Sequence, residues 1–163
     1  MRISPKSPFG LIASVAVLLL SRPVSAAQPD FSGTWHQDLS RSVPVGNSRN
    51  AKELDIQQTG PELTVNARTT TVQGERSLNL KYEVGGPELV YKGLDGDEFH
   101  TKVRWNGESL VFDTVEHERG REIVSQQIWT LAENGKILRE VKHSQRAGQP
   151  TESLAVFERE MQR

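Results

Sequence analysis

Cysteine is absent from the 163 residues, which removes disulfide bonds, thiol nucleophiles and thiolate metal sites together. Aromatic residues are scarce at 6%, with three Trp, two Tyr and five Phe, so the place of each one carries information. Neither sign of charge dominates, with 20 Lys and Arg against 21 Asp and Glu. The clustered basic surface that a nucleic-acid partner requires is missing. Long apolar runs are missing too: the longest, residues 11–20, is about half the ~20 residues that span a bilayer as a helix. Beyond that run, no segment keeps a three-to-four-residue apolar period for ten residues, so no substantial helix is expected.

Motifs with built-in chemistry are equally scarce. The histidines, His36, His100, His117 and His143, stand singly, without His-x-His or His-Glu-x-x-His spacing. His117 lies between Glu116 and Glu118, but neighbours on a strand point to opposite faces. Asp95 and Asp97 flank a turn glycine without the order of a calcium loop. There is no Gly-x-Ser-x-Gly elbow and no phosphate loop. The sequence therefore nominates no catalytic residue, no metal ligand and no cofactor, and a non-enzyme is the expectation.

What is present begins with a leader-like pattern. Arg2 and Lys6 precede the apolar run, and Val24-Ser25-Ala26 supplies a small-residue cleavage site. Residues 1–26 read as a signal peptide, and 27–163 as one exported domain, periplasmic or secreted and without a stable membrane anchor. Cleavage removes Arg2, Lys6 and Arg22 and no acidic residue, leaving a net charge of about −4.

The rest of the chain alternates with period two between short turn signals, the pattern of half-buried strands. After a first strand around Thr34-Trp35 comes a polar break over residues 40–50, long enough for a lid over a barrel mouth. Strands are then expected over 52–58, 62–68, 76–84, 88–92, 99–105, 109–116, 122–131, 136–145 and 151–160. Gly60-Pro61, Asp95-Gly96, Asn106-Gly107 and Asn134-Gly135 mark turns between them. Four of the turns place Gly three residues before Leu, an echo that every hairpin produces when a turn glycine precedes a core residue.

An antiparallel meander of eight to ten strands removes its exposed edges by closing into an up-and-down barrel. Barrels of this size either fill with side chains or keep room for one small ligand. Mixed faces such as Ile123, Ser125, Gln127 and Trp129, or Ile137, Arg139, Val141 and His143, fit a lumen lined by polar and apolar groups.

The segment Phe31-Ser32-Gly33-Thr34-Trp35 resembles the Gly-x-Trp opening of the lipocalins and related calycins. It resembles more specifically a group of exported bacterial lipocalin-like domains that open Phe-Ser-Gly-Thr-Trp and end in a strand like Val156-Phe157-Glu158-Arg159. The resemblance spans the mature chain and implies a lipocalin-like barrel holding a small, mostly apolar molecule. It also implies a structural closure by Gly33, Trp35 and Arg159, with the arginine packed across the tryptophan. Avidin-type barrels share Gly-Thr-Trp, but their biotin-binding Asn and Ser correspond to Gln37 and Arg41, which argues against biotin.

These readings give the expected lining of a ligand site: Trp35, Tyr82, Phe99, Trp105 and Trp129, with Arg139 as counter-ion to an acidic head group. The expected function is non-catalytic binding of a small apolar or amphipathic molecule. The alternative is a packed barrel that binds another protein through the 40–50 loop, as calycin-like inhibitors do.

Overall fold

Short turns leave most consecutive strands no option but to pair antiparallel, and eight of the nine consecutive pairs do so, the fourth and fifth strands being the exception. The computed structural model describes residues 28–43, 50–146 and 148–161. The expected signal peptide and the middle of the expected lid, residues 44–49, lie outside the described residues. The strands are β1 (Gly33–Gln37), β2 (Lys52–Thr59), β3 (Glu62–Thr71), β4 (Gly74–Glu83), β5 (Leu89–Lys92), β6 (Glu98–Asn106), β7 (Ser109–Glu118), β8 (Arg121–Ala132), β9 (Ile137–Arg146) and β10 (Gln149–Arg159). No helix occurs among the described residues. The hairpin at Asn106-Gly107 is centred one residue later than the Asn-Gly signal suggests: Asn106 pairs with Ser109, and Gly107 takes the first central position at φ +60°. That is the position where a II′ turn requires glycine.

The sheet order is β4-β3-β2-β1-β10-β9-β8-β7-β6-β5, so β1 joins the two halves of the chain and the ring is nearly closed. Strands β4 and β5 are consecutive in sequence but do not pair with each other. Beyond them, Val84 bridges in parallel to Val103, and the Gly85 N–H donates to the Val103 carbonyl at 2.7 Å. Higher up the same seam the Tyr82 and Tyr91 hydroxyls lie near each other, and the Arg76 guanidinium donates to the Leu94 carbonyl.

Register decides what faces inward. Side chains from every strand meet in one core that includes Trp35, Leu54, Ile56, Leu63, Val65, Tyr82, Val103, Leu110, Phe112, Trp129, Leu138 and Phe157. The floor is the densest part. Phe31, just before β1, is fully buried, with its ring 6.1 Å from Trp105 and 6.2 Å from Trp129. The segment that carries it is clamped by Gln58, whose Oε1 accepts from the Phe31 N–H at 3.1 Å and whose Nε2 donates to the Pro29 carbonyl at 3.1 Å. The Trp35 indole N–H donates to the Phe31 carbonyl at 2.9 Å, which satisfies the polar edge of a fully buried ring.

Arg159 lies across this floor with its guanidinium carbon 4.4 Å from the centre of the Trp35 ring. One of its terminal nitrogens donates to the Asp30 carbonyl at 3.1 Å, and its backbone N–H donates to the Lys136 carbonyl at 2.9 Å. Asp30 is held below the usual carboxylate range by hydrogen bonds from Ser32, with Arg159 adding to the effect. On its way to Trp35 the arginine passes over Gly33. A Cβ there would meet the Arg159 chain at 3.7 Å, an ordinary contact, so the demand for glycine comes from φ +138° and not from space.

Removing this clamp tests how much it holds. Arg159→Ala is expected to lower unfolding free energy by ~1–3 kcal/mol, the sum of a cation–π contact and one hydrogen bond. Arg159→Lys should recover only part of the loss, because an ammonium cannot lie flat on the ring while reaching Asp30. Urea titration with an unchanged m-value is the measurement.

Candidate functional site

The interior has two halves because successive cross-strand rows differ in chemistry. The row Trp105, Leu110, Trp129, Glu140 and Ala155 crosses β6 to β10 and is apolar except at Glu140. The next row toward the mouth is Val103, Phe112, Gln127, Lys142 and Ser153, and the one beyond it is Thr101, Thr114, Ser125, Ser144 and Thr151. Hydroxyls pair within that last row, Thr101 with Thr114 at 2.9 Å and Ser144 with Thr151 at 2.7 Å. Gln127, Lys142, Thr114 and Ser153 point inward yet are only half-buried, so the lumen is open to water from the mouth.

The expected lining residues separate by depth. Trp35 and Trp129 are buried in the floor, and Tyr82 stands above them, edge-on to Phe112 at 5.4 Å. Phe112 in turn lies 4.7 Å from Trp129. Trp105 packs partly buried against the same cluster. Phe99 is nearer the mouth, stacked on Tyr91 at 5.2 Å with an interplanar angle of 10°. These five share the interior, and Arg139 does not join them. It is exposed on the outer face between Thr130 and Val156, so it is no counter-ion to anything in the lumen. Arg104 is likewise outside, paired with Asp113 at 3.0 Å.

The acidic group that β9 sends inward is Glu140, one residue on. It is 8% exposed and among the described residues accepts no hydrogen bond; its ionic contact is the Lys52 ammonium at 3.8 Å. The direct cross-strand partner of Glu140 is Trp129, whose buried indole N–H finds no acceptor among the described residues. An unmatched buried donor of this kind costs ~1–3 kcal/mol and calls for an explanation. Burial pushes the Tyr82 hydroxyl well above the usual phenol range, and Tyr91 and the Glu140 carboxylate add to that.

Other polar clusters lie at the rim or outside. Asp95, Asp97 and Glu116 bring carboxylate oxygens within 4.8 Å of one another at the mouth, a grouping that the sequence spacing did not suggest. On the outer wall, His100 lies 3.1 Å from Glu98 and 3.5 Å from Glu88, which hold its imidazole above the ordinary range, and its ring is 5.1 Å from that of His117. His36 and His143 also face outward beside carboxylates.

The described residues thus form an up-and-down antiparallel barrel of ten strands, apolar at the floor and polar toward an open mouth. Solved structures share this fold. A REP1-NXSQ fatty acid transporter superposes with a TM-score of 0.62 at 13% identity, covering 82% of this chain and 98% of its own. The zebrafish ileal bile acid-binding protein complexed with cholic acid gives 0.59 at 15% identity, covering 80% and 98%. The fatty-acid-binding protein of Manduca sexta gives 0.53 at 12% identity, covering 79% and 99%. No family model matches the chain, and no curated protein matches it in sequence.

The Tyr82 environment has a measurable consequence. In a Tyr91→Phe variant Tyr82 is the remaining tyrosine, and it should give no phenolate absorbance step near the ordinary value of about 10 while the barrel stays folded. Because its folded pKa is raised, its contribution to stability is full below about pH 10 and is lost as pH rises above that. Urea midpoints measured from pH 8 to 11 should therefore fall more steeply for the wild type than for Tyr82→Phe.

Proposed function

We propose that this chain is an exported barrel that binds a small apolar or amphipathic molecule in its lumen. The observation that carries the reading is the interior itself. Inward-facing polar side chains near the mouth stay partly open to water above an aromatic floor, whereas a purely structural barrel is filled and dry. Concave sites that are mostly apolar with a few placed polar groups are the usual form of small-molecule sites. Barrels of the same fold that carry a fatty acid or hold cholic acid support the reading by analogy of form. Export, and kinship with bacterial lipocalin-like domains, rest on the leader pattern of residues 1–26 and on the two end motifs.

The test is direct. The full-length chain is expressed in a bacterial host, recovered from the periplasm or medium, and examined by native mass spectrometry. The expected species starts at Ala27 and carries a bound small molecule, or takes one up with a change in tryptophan emission, since Trp129 and Trp105 lie at the base of the lumen. A protein that retains its leader in the cytoplasm overturns export. A protein that takes up no apolar probe overturns ligand binding.

A further inference from the structure

The outer wall carries a histidine pair that the lumen does not use. Glu98, His117 and Glu122 are direct cross-strand partners on β6, β7 and β8, and His100 stands two residues along β6 from Glu98, on the same face. The His100 and His117 rings lie 5.1 Å apart, centre to centre. Each ring has a carboxylate at its Nδ1, Glu88 at 3.5 Å from His100 and Glu122 at 3.9 Å from His117. The His100 Nε2 lies 3.1 Å from a Glu98 oxygen. Among the described residues no lysine or arginine pairs with Glu88, Glu98 or Glu122. From this grouping we infer that His100, His117 and Glu98 form a site for a divalent transition-metal ion of the zinc class on the outer wall, separate from the lumen.

The donor set decides the class of ion. Two imidazoles and one carboxylate suit zinc, copper or nickel, whereas calcium and magnesium take oxygen. With metal–nitrogen bonds of ~2.0–2.1 Å and a tetrahedral angle, the centres of two coordinated imidazole rings stand about 5 Å apart, which is the separation found here. The rings now meet edge-on at 77°, so aiming both Nε2 atoms at one ion takes side-chain rotation. Exposure of 28% at His100 and 40% at His117 leaves room for it. Glu88 and Glu122 supply what ligating histidines regularly have, an acceptor for the Nδ1 proton that turns Nε2 toward the metal. The ion takes the place of a proton between His100 Nε2 and Glu98, gains His117 Nε2, and leaves its fourth position to water. Three carboxylates without a lysine or arginine partner also favour a dication there. The Asp95, Asp97 and Glu116 oxygens at the mouth lie within 4.8 Å of one another but offer oxygen alone, so they serve as the internal control.

The test uses the mature protein without an affinity tag, stripped with a chelator and held at about pH 8 to limit competition from protons. Zn2+ is titrated against a chromophoric competitor, with Ca2+ as the control ion. One equivalent of Zn2+ is expected to bind and Ca2+ is expected not to displace it. His100→Ala and His117→Ala should each weaken that binding roughly tenfold or more. Asp95→Asn combined with Asp97→Asn should leave it unchanged. A second measurement needs no variant: Zn2+ should move the imidazole resonances of His100 and His117 in the wild type and leave those of His36 and His143 in place. Absence of Zn2+ binding, binding that survives both histidine variants, binding lost in the double aspartate variant, displacement by equal Ca2+, or resonance shifts confined to His36 or His143 overturns the assignment.

Discussion

Everything in this barrel depends on one stacking contact at its floor, the Arg159 guanidinium on the Trp35 indole. Trp35 belongs to the first strand and Arg159 to the last, so the contact fastens the chain's two ends where β1 and β10 pair. Without that seam the strands fall into two separate sheets, β1–β4 and β5–β10, because β4 and β5 do not pair. With it, they form one ten-stranded wall, and the Phe31 segment held by Gln58 becomes a plug instead of a loose lead-in. Burial, hydrogen bonding and charge all converge there: a fully buried indole, a satisfied N–H, and a cation shared between a ring face and a backbone carbonyl.

Closing the floor gives the interior its polarity. Phe31, Trp35, Trp105 and Trp129 exclude water from one end, so polar inward residues concentrate toward the other. A hydroxyl or amide at the mouth is hydrated cheaply, whereas the same group set among those rings needs a partner. Glu140 and Trp129 sit where these regimes meet: the carboxylate is paired with Lys52, and the indole N–H is left without an acceptor among the described residues.

The strand plan was legible because turn glycines and period-two alternation are local signals, and β4 and β6 each alternate cleanly. Thr101, Val103 and Trp105 face inward and Lys102 and Arg104 outward, as the pattern implies. In β9 the same logic misleads. Ile137 and Val141 form the more apolar alternate set, yet they face out. Val141 there lies between Ile128 and Leu154, part of an outer apolar row that starts at Val111. The inward set is Leu138, Glu140, Lys142 and Ser144, which reads as a solvent face when the strand is taken alone. Arg139 was accordingly assigned to the lumen in place of Glu140, because a strand's inward face is fixed by its neighbours' register and not by its own hydropathy. Gln58 was hidden for a similar reason: its partners, Pro29 and Phe31, are distant in sequence and give no spacing to find.

The seam between β4 and β5 gives the wall a property that closed cylinders lack. A fully hydrogen-bonded ring has a perimeter fixed by its strand number, and widening it breaks a ladder along its whole length. Here the ring is completed by the Val84–Val103 bridge near the floor, a pair of phenols and one arginine on a carbonyl. Toward the mouth the wall is therefore joined across this seam by side chains in place of a strand ladder. The molecule is a cup with a slit in its side, stitched at the base by Val84.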